Sequence, residues 1–299
     1  MSTGLRDFLR HKALNGWGLF ALITLPMGVS MVMAMLSRDL SAAEHVSSMI
    51  AWSVRWSVPW LLVAFAASSL QVLFPSEASK WLLRNRKFFG LCFAAGMAWQ
   101  ASFIIWLVTL HRDYYVEEVY VLRDVIEGVF GYLFLIAMTI TSFKAGRSMI
   151  TAKQWRLLHT VGIYFLWAYV FATYWYSLYY YSAADWVDYL YYWGGVLAWS
   201  LRIAAWSKKK ALAAAKAGED DDSRPGLVLV GGTLVALGLV AAALGRLWEE
   251  AAHANLEGLP YAAWLDLYMP YWPFIPYLPL FVMIPGAYLF ARYQRRRTD

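Results

Sequence analysis

Residues 16–36, GWGLFALITLPMGVSMVMAML, run for 21 positions without a charged side chain. A helix rises about 1.5 Å per residue, so the stretch reaches roughly 30 Å, the thickness of a bilayer's hydrocarbon core. Arg6, Arg10 and Lys12 precede it in the order of a signal peptide, but its length and the lack of a small-x-small cleavage site predict a retained helix. Seven further stretches of this kind follow, at approximately 46–74, 88–110, 121–143, 157–178, 186–206, 226–246 and 272–292. Unpaired backbone groups in lipid are costly, and no segment alternates as a barrel strand does, so each stretch is read as a helix. The expected fold is all-α, a polytopic membrane bundle of about eight transmembrane helices.

Composition points the same way. Of 299 residues, 61% are hydrophobic and 15% charged, against about 45–50% and about 25% in soluble domains. A soluble enzyme, a disordered chain and a disulfide scaffold are therefore excluded. The single Cys92 permits no internal disulfide and no cysteine-based metal motif. His11, His45, His111 and His253 fall in loops or at span ends with no metal-site spacing, so no metal centre is expected.

With the N-terminus placed inside, 21 of the 26 basic residues lie in inner segments, while Arg38, Arg112, Arg123 and Arg246 face outward beside most of the acids. The positive-inside rule then predicts a bacterial-type inner membrane protein with both termini cytoplasmic. The net charge of +6 is a topology signal rather than a nucleic-acid signature. The small and charged residues 207–225 read as a cytoplasmic linker, dividing a six-span region, 1–206, from a two-span addition, 226–299. In the seventh span Gly231, Gly238 and Gly245 recur every seven residues, laying small residues along one face for close packing. Pro270, Pro273, Pro276 and Pro279 predict an extended, polyproline-like entry, a helix from about Pro279 and a kink near Pro285.

One charge lies inside a span. Arg55, in AWSVRWSVPW, sits about 14 Å below the outer surface by helical rise. An arginine at the membrane centre costs about 2.5–3.5 kcal/mol on insertion scales, so a partner or a bound anion is required. Glu127, roughly 9 Å deep by the same rise, is the first choice of partner and Asp124 the second, with Trp52 and Trp56 flanking the guanidinium. A helix-locking ion pair, an anion or headgroup site and simple snorkelling are all consistent with this placement.

The outer face is dense in aromatics. YWYSLYYYSAADWVDYLYYW at 174–193 holds 11 in 20 residues, and YAAWLDLYMPYWPFIPY at 261–277 is similar in kind. Tyr and Trp favour the lipid–water boundary, but this density exceeds an anchoring belt. Tyr179, Tyr180, Tyr181, Trp186, Trp264, Tyr271 and Trp272 are read as a surface for a partner subunit, or for a quinone-like or isoprenoid ring.

Residues 52–178 contain WLLRNRKFFGL at 81–91, a basic turn leading into the third span, GYLFLIAMTITS at 131–142, and WRLLHTVGIYFLW at 155–167. These stretches resemble the ferric reductase-like transmembrane domain family, which includes NADPH oxidase cores and the membrane subunit of bacterial methionine sulfoxide reductase. The resemblance implies a six-helix core and haem b held between histidines of the third and fifth helices. Its ligand positions fall here on Gln100, His159 and Ala172, so only His159 keeps a ligating imidazole. His159 lies roughly 6 Å and Gln100 roughly 18 Å from the inner surface, too far apart in depth to sandwich one iron. No dinucleotide-binding glycine motif is present. The expected role is an accessory or scaffold subunit of a membrane redox or energy-converting complex, without catalytic residues. The alternatives are a carrier of one haem b through His159 and a lipid- or quinone-binding protein centred on Arg55 and Glu127.

Overall fold

The computed structural model describes residues 3–181, 184–217 and 224–294, and among them there is no β-strand. The principal helices are α1 Trp17–Leu36, α2 Ala43–Leu73, α3 Glu77–Leu110, α4 Leu122–Thr141, α5 Ala152–Tyr179, α6 Trp186–Lys216, α7 Pro225–Ala243, α8 Gly245–Glu257, α9 Ala262–Tyr268 and α10 Leu278–Tyr293. The protein is an all-α polytopic bundle. Seven of its described helices are long and apolar enough to cross a membrane: α1 to α5, α7, and α10 with its 3-10 entry, Ile275–Tyr293. The expected sixth span is the helix α6, 31 residues long. Its aromatics and its charges, Asp188, Arg202 and the lysines from 208, make it less apolar than the others.

Two local signals extend helices beyond their apolar stretches. The Ser79 N–H donates to the Ser76 hydroxyl at 3.1 Å and the Ser76 N–H to Ser79 Oγ at 2.9 Å. This reciprocal cap starts α3 at Glu77, so the basic stretch 81–91 is helical rather than a turn. Asp185 and Asp188 form the same kind of box and open α6. That helix then runs on to Lys216, because Ala and Lys favour helix even where no apolar face is left to bury. Residues 207–216 of the expected linker are thus helical, while the acidic run to Asp222 lies outside the described residues, as do Arg295, Arg296 and Arg297.

Compactness divides the chain into one unit of Met1–Ala67 with Ser76–Tyr169, and a second of Ser68–Pro75 with Val170–Asp299. This division differs from one at the charged stretch 207–225. The reason is that α6 packs with the last helix, Trp206 meeting Tyr288 at 5.8 Å, so the sixth helix joins the C-terminal pair.

In the first unit, Met27, Met31, Met49 and Phe103 from α1, α2 and α3 form a buried cluster, covered by Trp52, Trp56, Trp60 and Trp99. Helix α5 is held to α2 by Phe65 stacked on Trp167 at 5.3 Å. The second unit is centred on the pair α7 and α10. A Cβ on Gly286 would stand 2.8 Å from the Gly231 carbonyl, and one on Gly231 would stand 2.6 Å from the Phe290 nitrogen. Gly238 meets Met283 and the Pro279 carbonyl of the same helix. The glycine spacing therefore marks a real backbone-to-backbone interface. Its third member, Gly245, opens α8 and lies against the ring of Tyr179 instead.

The proline-rich entry is not extended. It follows α9 and contains left-handed residues at Tyr271 and Phe274, a cis Trp272–Pro273 peptide and a 3-10 turn over Ile275–Tyr277. Pro273, Ile275, Pro276 and Tyr277 are buried, and burying them folds the chain back on its own unit. Helix α10 then begins at Leu278 with Pro279 in its first turn, close to the expected start.

Candidate functional site

Polar side chains within the first unit gather in two layers. In the first, the Tyr132 hydroxyl of α4 donates to Gln100 Oε1 of α3 at 2.8 Å and approaches the Met97 carbonyl at 3.2 Å. Tyr169 of α5 lies within electrostatic reach of Asp124, Glu127 and Tyr132. Glu127 is buried at 9% exposure, whereas Asp124 is exposed and paired with its neighbour Arg123 at 3.3 Å. Arg55 is half-buried, and both it and Glu127 make polar, ring or electrostatic contacts. Pro59 has no N–H to offer the Arg55 carbonyl four residues back, which frees a backbone acceptor on α2. The cation over Trp52 is Arg38, at 5.9 Å, while Trp52 itself covers the methionine cluster.

Tyr132 and Tyr169 do not stand out in the sequence, because a tyrosine in an apolar run reads as a packing ring. The usable signal is position. A phenol far from either end of its span has no water to bond and must find a partner in the protein.

The second layer lies toward the basic end of the unit. His159 Nε2 and Thr141 Oγ1 are 3.0 Å apart, Trp155 stacks on the imidazole at 4.3 Å, and the Trp155 indole N–H donates to the Thr141 carbonyl at 3.1 Å. The Arg147 guanidinium sits 5.5 Å from the Trp155 ring centre. Arg86, counted from sequence among the loop charges, instead donates from Nε to the Ala64 carbonyl of α2 at 2.9 Å. It points into the unit because the capping box places it ten residues along α3, roughly 14 Å from the helix start.

These contacts decide how the residues suit a haem. Gln100 is tied to Tyr132 and His159 to Thr141, nine residues further along the same helix α4, which is roughly 13 Å along its axis. Ala172 offers no ligating atom. The three ligand positions therefore do not fit one haem held between α3 and α5. Among the described residues, no group of three or more His, Cys, Asp or Glu side chains could hold a metal ion.

In the second unit the aromatic residues divide by what their polar ends do. The hydroxyls of Tyr179 and Tyr192 and the indole N–H of Trp248 donate to the carbonyls of Ala242, Ala242 and Ala241. Arg246 donates to the Leu178 carbonyl from both Nε and Nη2 at 3.3 Å. The last carbonyls of a helix have no intrahelical partner, so these side chains cap α7 and approach the end of α5. Tyr179 is half-buried in this work, Tyr271 packs on Tyr277 at 5.7 Å, and Trp272 packs on Phe274 at 5.8 Å with its indole nitrogen buried. Tyr180, Tyr181, Trp186 and Trp264 present their rings outward, Trp186 at 74% exposure. Of the seven residues read as a partner surface, four are therefore on the surface and three belong largely to the unit's own packing.

No family model, curated protein or solved structure matches this chain.

Proposed function

We propose that this multi-pass membrane protein is a non-catalytic accessory or scaffold subunit of a membrane redox or energy-converting complex, distantly similar to ferric reductase-like domains. The observation that carries the reading is the division of labour among the aromatics of the second unit. Tyr179, Tyr192 and Trp248 hold the helix ends, while Tyr180, Tyr181, Trp186 and Trp264 expose large rings. Exposed Trp and Tyr beyond what an anchoring belt needs are the side chains that protein interfaces enrich. The engaged state of Gln100 and His159 supports a scaffold over an electron carrier. In this reading α6 serves as an eighth crossing, both termini face the cytoplasm, and the aromatic end faces outward, as the distribution of arginine and lysine implies.

The test is to isolate the full chain in a mild detergent and measure the mass and spectrum of the particle. The expected result is a colourless chain in a stable heteromeric particle, which a Trp186→Ala, Trp264→Ala, Tyr180→Ala triple variant breaks without loss of helicity. A lone chain, or a reduced-minus-oxidised haem b band near one per chain that vanishes in His159→Ala, would overturn it.

A further inference from the structure

The basic end of the first unit carries an aromatic patch beside the second polar layer. Trp17, at the start of α1, stacks on Phe143, just past the end of α4, at 6.1 Å, and meets Phe88 of α3 edge-on at 5.5 Å. Trp17 and Phe143 are exposed. The Lys87 ammonium lies 4.7 Å from the Phe143 ring centre and 5.8 Å from that of Phe88. Lys144 and Arg147 follow Phe143 on one short turn, whose backbone is closed by the Arg147 N–H on the Phe143 carbonyl at 2.8 Å.

The cations at this end are not equivalent. Arg84 spends its guanidinium on Asn15 Oδ1 and the Leu9 carbonyl, and Lys80 is paired with Glu77 at 3.2 Å. Lys87 and Lys144 have no carboxylate partner among the described residues, and Lys87 rests on ring faces alone. The segments 1–16, 74–88 and 142–156 contain only Asp7 and Glu77 as acids, against Arg6, Arg10, Lys12 and eight further cations. An ammonium over an aromatic face keeps its remaining N–H donors directed at whatever lies beyond the ring. Here that is the level at which positive charge gives way to exposed apolar rings, the boundary where a phospholipid carries its phosphate.

We propose that this patch binds an anionic phospholipid of the surrounding leaflet. Its phosphodiester is paired with the ammonium groups of Lys87 and Lys144, since the Arg147 guanidinium is engaged by the Ile150 carbonyl at 2.8 Å and by Trp155, and its glycerol and first acyl carbons lie on Trp17 and Phe143. Charge complementarity selects the headgroup, since a zwitterionic lipid would bring its own cation against Lys87. The exposed rings, which a free phosphate could not cover, select a lipid over a small anion.

Native mass spectrometry of the full chain released from nanodiscs of equal phosphatidylglycerol and phosphatidylcholine tests the proposal. The wild type is expected to retain phosphatidylglycerol preferentially. Lys87→Ala and Lys144→Ala should each lower that retention about fivefold, the effect of removing one basic residue near an anionic surface. Phe143→Ala should lower it as well. Lys87→Arg and Lys153→Ala, the latter on the same end but outside the patch, should retain lipid as the wild type does. Equal retention of the two lipids, unchanged retention in the Lys87→Ala, Lys144→Ala double variant, or an equal loss in Lys153→Ala would overturn the site. Displacement of the lipid by millimolar inorganic phosphate would overturn it in favour of a simple anion site. Unchanged helicity and elution of each variant guard against loss by misfolding.

Discussion

The hydroxyls of Tyr179 and Tyr192 converge on one acceptor, the Ala242 carbonyl, each at 2.7 Å. Tyr179 ends α5, Tyr192 lies in the second turn of α6, and Ala242 stands at the end of α7, so one oxygen joins three helices. Tyr192 is fully buried, and the shared oxygen thus replaces water for two phenols at once.

Removing one of these donors should be mild and removing both severe. Tyr192→Phe is expected to cost about 1 kcal/mol, the net worth of a single hydrogen bond. With Tyr179→Phe added, the buried carbonyl loses both donors and the further loss should rise to about 1–3 kcal/mol. A double-variant cycle on thermal unfolding in detergent measures the coupling, and strict additivity would show that the two phenols act independently.

The interface of α7 with α10 should tolerate no side chain at Gly286. A Cβ there meets the Gly231 carbonyl and the Val235 nitrogen, both backbone, which cannot rotate away. Gly286→Val is expected to destabilise by at least about 1–3 kcal/mol, the usual range for overpacking. The control is Gly232→Ala, where the new carbon meets only the Phe290 ring edge at 3.9 Å. Unfolding temperatures that fall equally in the two variants would contradict this packing.

Glu127 is buried on α4 and Arg55 is half-buried on α2 of the same unit. If the two share one electrostatic network, Arg55→Ala and Glu127→Ala should be coupled by about 0.5–3 kcal/mol in unfolding, because the second change removes a charge that the first has already orphaned. Coupling near zero would assign them to separate networks. Asp124→Ala, at an exposed side chain, should change stability little, within about 0.5 kcal/mol.

Asp39, in the connection between α1 and α2, accepts from both the N–H and the hydroxyl of Ser41, at 3.0 and 2.7 Å. These bonds hold its carboxyl below the ordinary carboxylate range. Because the folded value is depressed, the associated stabilisation is present above the unfolded pKa and is lost as pH falls through the folded one. Ser41→Ala should move the Asp39 titration upward, as read by carboxyl-carbon NMR. An unmoved titration would assign the depression to the Ser41 backbone N–H, which alanine keeps, with His45 the weaker contributor.

Much of the fold was legible in order. The apolar stretches correspond to α1 through α7 and α10, and the Gly231–Gly238 spacing anticipated the face that α10 covers. Helix ends were less legible, since α3 and α6 extend through charged residues whose helicity depends on capping and alanine content rather than on apolar length. The site was least legible. Arg86 reads as a loop charge and turns inward because α3 begins nine residues before it. Tyr179 looked like surface and is a cap.

The sequence alone determined that this is an all-α membrane protein, because the apolar length of a segment and the need to pair its backbone in lipid are local properties. Tertiary structure decided which polar groups meet. Gln100 finds Tyr132 across 32 residues, Thr141 finds His159 across 18, and Tyr179 finds Ala242 across 63. Each pairing depends on how neighbouring helices rotate and slide against one another, and that register is set by packing over the whole interface rather than by the residues between the partners.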